Sequence, residues 1–242
     1  MLTEKPWTLE AMLRLLVGIF LCMFIVVGAM GLLQGFTGKK LDDGSPLAVV
    51  IGTLVVDGSI LVMVGWLLWW QRVAWPRAFG LRHHAAYAIV LGFLVGLAFF
   101  PLGLSLQTLC QFALHALRIG THEEQAVEML RNAQPGWLRI YLAVFAVGIA
   151  PVAEETVFRG VIYPTIKQAG FPRLALWGNS LIFGLIHTNL AAFVPLTVLA
   201  LILTWLYEKT DNLLANITAH ATFNAANLVL MFVAEHGQNS PF

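Results

Sequence analysis

The chain is predicted to be all-α, a polytopic transmembrane helical bundle of about seven to eight spans with an interfacial amphipathic segment near residues 107–136. Three observations predict it. Of 242 residues, 59% are hydrophobic and only 11% charged, with mean hydropathy +0.79, against about 25% charged in ordinary soluble domains. Apolar stretches of bilayer length, about 20 residues each, recur along the whole chain. Neither a linker nor an internal repeat divides it, so residues 1–242 are expected to form a single integral membrane domain. Net charge is +1 and no basic stripe occurs, which excludes nucleic acid as a partner.

The first span is expected near Leu13–Leu33. No small-residue cleavage site follows it, so it reads as a retained span and not a signal peptide. The second, near Leu47–Trp70, ends in the aromatic belt Trp66, Trp69 and Trp70. Arg82, His83 and His84 form a headgroup-facing loop. The third span, near Ala85–Leu106, carries Gly92 and Gly96, a small-xxx-small pair that permits close helix approach. In residues 107–136, Gln107, Gln111, His115, Arg118, Glu128 and Arg131 punctuate Leu109, Phe112, Leu117 and Leu130, the pattern of one or two interfacial helices. His122-Glu123-Glu124 lacks a second His at HExxH spacing and reads as a solvated loop. Cys22 and Cys110 form no CxxC and read as buried small hydrophobes.

The fourth span starts near Trp137 and runs to Ala169, ending at the turn Gly170-Phe171-Pro172. Its helix would be about 50 Å long, more than the roughly 30 Å hydrocarbon core, so it must tilt or break, with Pro151 and Pro164 as kinks. The fifth span is expected near Arg173–Thr188, the sixth near Leu190–Tyr207, and the seventh near Leu213–Ala234. Counting Lys and Arg favours a cytoplasmic N-terminus: Lys5, Arg14, Arg72, Arg77, Arg82, Lys167, Arg173 and Lys209 fall inside, against Lys39, Lys40, Arg118 and Arg131 outside.

Charges within the fourth span mark a function. Glu154, Glu155 and Arg159 would together cost about 8–10 kcal/mol to insert if uncompensated. Glu155 and Arg159 are i,i+4 neighbours and can neutralise each other. Glu154, about 100° round the helix, is left as an acid or base. His187 lies as far after the turn at 170–172 as Glu154 lies before it, so an antiparallel hairpin sets the two at one depth. Gly184, one turn before His187, would let those helices approach. On the last span Asn212, Asn216, His220, Asn224 and Asn227 recur every three or four residues on one face, which should look into the bundle. Asn212, Asn216 and Asn227 read as interhelical glue, worth about 0.6 kcal/mol each. Because Asn216 lies in a span, the sequon Asn216-Ile217-Thr218 is not a glycan site. All the intramembrane polar clusters found this way fall in the C-terminal half.

EETVFRG at 154–160, FGLIH at 183–187 and HATFN at 220–224 resemble the three motifs of the CPBP family, also called the CAAX-protease, bacteriocin-processing or Abi family: EExxxR, FxxxH and HxxxN. The motifs are complete, in order and on separate spans. The resemblance covers about residues 137–235, the expected catalytic core. It implies a membrane-embedded endopeptidase that hydrolyses a peptide bond near or within the membrane. Glu154 with His187 would activate a water, His220 and Asn224 would stabilise the oxyanion, and Glu155 and Arg159 would support the site. Family members have also been described as metalloproteases. Glu154, His187 and His220 are therefore candidates for a three-ligand zinc site with water in the fourth position. A metal-free glutamate mechanism is preferred, because Asn224 is a poor zinc ligand and a good donor. Expected partners are a peptide or protein substrate, lipidated or membrane-inserted, and membrane lipids. The expected setting is a bacterial inner membrane. The alternative is a non-catalytic membrane scaffold or partner-regulating protein with the same fold. A proton-coupled transporter is a third reading, against which stands the lack of an internal repeat.

Overall fold

A computed structural model describes residues 2–38, 45–120 and 125–238. The loop reading of His122-Glu123-Glu124 and the positions of Lys39 and Lys40 fall outside the described residues. Thr8 opens the first helix, α1 (Leu9–Thr37), by accepting from the Ala11 amide through its hydroxyl, and Gly38 closes it with φ 66°. Ser45 caps α2 (Pro46–Trp70), with proline at the first turn where its missing N–H is harmless. A short α3 (Trp75–Ala78) follows, then α4 (Ala85–Ala116). The chain continues through α5 (Gln125–Asn132) and α6 (Gly136–Val144) to α7 (Ala150–Val157) and α8 (Tyr163–Gln168), and ends with α9 (Pro172–Ile186), α10 (Leu190–Thr210) and α11 (Leu213–Gln238).

Among the described residues six helical runs are long and apolar enough to cross a membrane: α1, α2, α4, the continuous run Gly136–Gln168, α10 and α11. The chain is a multi-pass, all-α membrane bundle. The expected fifth span is the exception. As α9 it has 15 residues, roughly 22 Å of helix, short of the hydrocarbon core.

The segment 107–136 also differs from expectation. Its first ten residues continue α4 through Pro101, and among the described residues only α5 is a separate amphipathic helix. Leu130 and Ala133 bury α5 against Leu138 and Leu142 of α6, with Phe232 of α11 packed alongside. Arg139 hydrogen-bonds Glu235, and Arg131 lies 3.7 Å from the same carboxylate. This segment therefore folds onto one end of the bundle. Cys22 and Cys110 are free and half-buried, not buried.

Around α10 the bundle is most enclosed: 61% of its apolar window is buried, against 11% for α1. The outer helix α1 leaves Val17, Phe20, Phe24 and Val27 exposed, as lipid contact requires. A glycine seam seats α11 on α4. A Cβ on Gly92 would stand 2.2 Å from the Ala215 carbonyl oxygen, and one on Gly96 2.3 Å from that of Ala219. Those are backbone atoms and cannot swing away. Gly96→Val is expected to destabilise the bundle by about 1–3 kcal/mol or more through overpacking, whereas Gly28→Ala, with open space around it, should be silent. Thermal melts in detergent would separate the two.

Two π-helical turns, Phe145–Ile149 and Phe158–Ile162, interrupt the run Gly136–Gln168. Each ends two residues before a proline, Pro151 or Pro164. A proline supplies no N–H, so one carbonyl of the turn before it lacks a backbone donor. Side chains from elsewhere fill the vacancies. Asn224 Nδ2 donates to the Ala146 carbonyl at 2.8 Å, and Trp7 Nε1 donates to the Gly160 carbonyl at 2.9 Å. The prolines thus set π turns and docking points instead of breaking the helix.

Trp7 belongs to a strap ahead of α1. The Lys5 amide donates to Gln168 Oε1, Gln168 Nε2 donates to the Lys5 carbonyl, and Lys5 Nζ pairs with Asp211 at 2.8 Å. Gly80 packs against the Asp211 carbonyl, the Leu213 amide donates to the Phe79 carbonyl, and Asn212 Nδ2 donates to that of His83. The strap and the 79–84 loop so clamp the α10–α11 corner to α8. Lys5→Ala, leaving Asp211 with only the Thr3 hydroxyl as side-chain donor, is expected to cost about 1–3 kcal/mol, measured as a lower melting temperature.

Candidate active site

Glu155 and Arg159 are wholly buried, and Arg159 Nη1 donates to Glu155 Oε1 at 2.8 Å. Arg159 Nη2 reaches the Ala200 carbonyl of α10 at 3.1 Å, and the guanidinium lies 4.5 Å from the centre of the Phe183 ring. Glu155 gathers two further partners from α11. His220 Nδ1 donates to Oε1 at 3.0 Å, and Asn216 Nδ2 approaches Oε2 at 3.5 Å while donating to the Leu203 carbonyl at 2.7 Å. The expected pairing is present, and it is one edge of a network that joins α7, α10 and α11.

Glu154 is different. Its side chain is 20% exposed, and its Oε2 is buried with no hydrogen-bond partner. The imidazole beside it is that of His220, whose Nε2 stands 3.9 Å from Oε2. The His220 tautomer follows from its other nitrogen. The Glu155 carboxylate, already paired with Arg159, is an acceptor, so Nδ1 carries the proton and Nε2 of the neutral ring presents a lone pair. Nε2 therefore accepts until it gains a proton and donates only afterwards.

His187 ends α9 with its Nδ1 on the Phe183 carbonyl at 2.8 Å. A carbonyl only accepts, so His187 too presents a bare Nε2. No hydrogen bond or ion pair joins it to Glu154; it meets the cluster through Phe183, whose ring lies 5.1 Å from the His187 ring and 5.8 Å from that of His220. Gly184 turns towards α10, where a Cβ would meet Thr197 Oγ1 at 2.5 Å and the Phe193 carbonyl oxygen at 2.9 Å. Its smallness brings α9 onto α10, not onto α7 as expected. Asn224 uses one N–H on the Ala146 carbonyl and keeps a second.

Sequence reasoning missed two participants. Asn216, assigned to glue, touches the carboxylate of Glu155. Asp57, the one charged residue in the 25 of α2, is buried on a helix that packs against α7. A lone carboxylate in so apolar a span was a sufficient signal, and it puts an intramembrane acid in the N-terminal half. Asn212 and Asn227 do serve structure, on the His83 carbonyl and, within α11, on the Phe223 carbonyl. Asn216 is fully buried, so the sequon is closed to a glycan.

The zinc reading is testable on these donors. Two imidazoles with Nδ1 anchored and Nε2 bare, together with the unpaired Glu154 carboxylate, have the right donor chemistry. Their spacing does not fit: no group of three or more His, Cys, Asp or Glu among the described residues is arranged to hold a metal ion.

Residues 135–226 match the family model described as Rce1-like, type II CAAX prenyl endopeptidase. The UPF0177 protein YxdF of Lactococcus lactis subsp. lactis (strain IL1403) is 31% identical over 91 residues, 37% of this chain and 50% of that protein. The match spans about half the length of that relative. No solved structure matches. The matched stretch holds Glu154, Glu155, Arg159, His187, His220 and Asn224, the residues of the three motifs, and over that stretch the chain is similar to the type II CAAX prenyl endopeptidases.

Proposed function

We infer that the chain is a membrane-embedded endopeptidase of the CAAX-protease type, working as one integral membrane domain. The observation that carries it is the unpartnered Glu154 Oε2 beside a His220 ring whose tautomer is set by Glu155. Glu154 takes a proton from a water. The hydroxide forms a bond to the scissile carbonyl carbon, and the carbonyl π pair moves onto oxygen. His187 Nε2 accepts from the same water and orients it. Asn224 donates its second N–H to the oxyanion. Glu154 Oε2 can hand its proton to His220 Nε2, and the imidazolium then donates to the oxyanion as well. Collapse of the intermediate breaks the C–N bond, and that proton leaves on the amine.

This scheme uses no metal, a preference that rests on Asn224 being a poor zinc ligand and a good donor. The substrate is a peptide or protein, lipidated or membrane-inserted. The setting is a bacterial inner membrane, with the N-terminus cytoplasmic by the positive-inside count. The test is cleavage of membrane-peptide substrates by the purified full chain in liposomes, with and without a zinc chelator. Cleavage that survives chelation is expected. Loss on chelation and return with zinc would overturn the metal-free mechanism, and retained cleavage in both Glu154→Gln and His187→Ala would sink the endopeptidase reading. If instead Glu154→Gln fully restores a biological phenotype, the scaffold alternative stands.

A further inference from the structure

Asp57 has no role in the catalytic scheme, yet it is a buried acid within a membrane-spanning helix. It sits in the middle of α2, 8% exposed. Among the described residues no donor hydrogen-bonds to it and no cation pairs with it. Its direction follows from its neighbours on α2. Thr53, one turn earlier, shares a 2.8 Å hydrogen bond with Tyr141 of α6. Val64, two turns later, lies in the buried cluster that includes Val157 and Val161. Asp57 thus falls on the face of α2 that packs against α7. Glu154 belongs to that same helix α7, and no hydrogen bond joins the two carboxyl groups.

Asp57 and Glu154 thus lie on the packed α2–α7 pair, while the guanidinium of Arg159 is committed to Glu155 and the Ala200 carbonyl. No Lys or Arg among the described residues pairs with Asp57 or Glu154, and an unpaired acidic group in a medium of low dielectric favours an incoming cation.

We propose that Asp57 selects the substrate by receiving a lysine or arginine side chain of the peptide segment beside the scissile bond. This rests on the endopeptidase reading. A substrate ammonium or guanidinium set between Asp57 and Glu154 supplies the donors that Asp57 lacks and draws the peptide towards the base. A peptide with an apolar residue at that position leaves Asp57 unpaired, and buried polar groups left unpaired are what make a site discriminate.

The test uses the full chain in nanodiscs and fluorogenic peptides that differ at one residue, Lys, Leu or Glu, scanned along the positions flanking the scissile bond. At one position the wild-type protein is expected to prefer Lys over Leu in kcat/KM by about 30-fold or more. Asp57→Asn should collapse that ratio towards one, Asp57→Glu should keep it, and Asp57→Lys should favour the Glu peptide. An unchanged ratio in Asp57→Asn, or an equal loss for all three peptides, overturns the proposal; the latter would make Asp57 a holder of Glu154. Binding of the same peptides to the Glu154→Gln protein, with and without Asp57→Asn, reads the preference without turnover. Failure of the endopeptidase reading is thereby distinguishable from failure of this one. If Asp57→Asn does not accumulate, Asp57→Ser carries the same comparison.

Discussion

Glu154→Gln is expected to lower cleavage by about 10²–10⁴-fold, the usual contribution of a positioned general base, and to leave accumulation and melting temperature as in the wild type. The substitution is nearly isosteric. The oxygen it replaces by an amide makes no hydrogen bond, so no partner is stranded. Gln has no basic oxygen, so neither the proton taken from water nor its transfer to His220 Nε2 is available. The measurement is peptide cleavage in liposomes, paired with a thermal melt of the same preparation. Wild-type turnover by a well-folded Glu154→Gln protein would remove Glu154 from the chemistry.

Arg159→Ala is expected to have the opposite profile: failure to accumulate, or a loss of about 3–5 kcal/mol of stability. Removing one member of a buried ion pair leaves the other as an uncompensated charge. Glu155 would keep only His220 Nδ1 at 3.0 Å and the long Asn216 contact. The tie from α7 to the Ala200 carbonyl and the packing on Phe183 would go as well. Arg159→Lys should fall between, because an ammonium cannot hold Glu155 and Ala200 with a planar fork. Membrane abundance and melting in detergent check this. Should Arg159→Ala accumulate normally while Glu154→Gln does not, the division between a structural pair and a free base is wrong.

Most of the bundle was legible in the sequence because a bilayer leaves few solutions. Backbone groups in hydrocarbon must be satisfied within helices, so apolar runs of sufficient length read directly as α1, α2, the run Gly136–Gln168, α10 and α11. The i,i+4 spacing of Glu155 and Arg159 is a property of one helix and needs no tertiary information. The polar stripe on α11 is legible for the same reason. Residue order and spacing also carried the three motifs.

Local spacing could not say which side chains meet across helices. Equal distance from a turn sets Glu154 and His187 at equal depth, but rotation about each helix axis decides whom a side chain faces. That rotation is set by packing elsewhere: by Gly92 and Gly96 seating α11 on α4, and by Gly184 drawing α9 onto α10. The outcome brings His220 to Glu154 and sets Phe183 between the two imidazoles. Likewise, Pro151 and Pro164 announce a missing N–H in the sequence, but only the folded chain shows Asn224 and Trp7 as the donors that replace it. Composition and periodicity, then, determined the membrane bundle and the helices that bear its charges. The tertiary structure decided which charge is paired, which imidazole is beside the free one, and that Asp57 of α2 belongs with them, because long-range packing alone sets how each helix is turned.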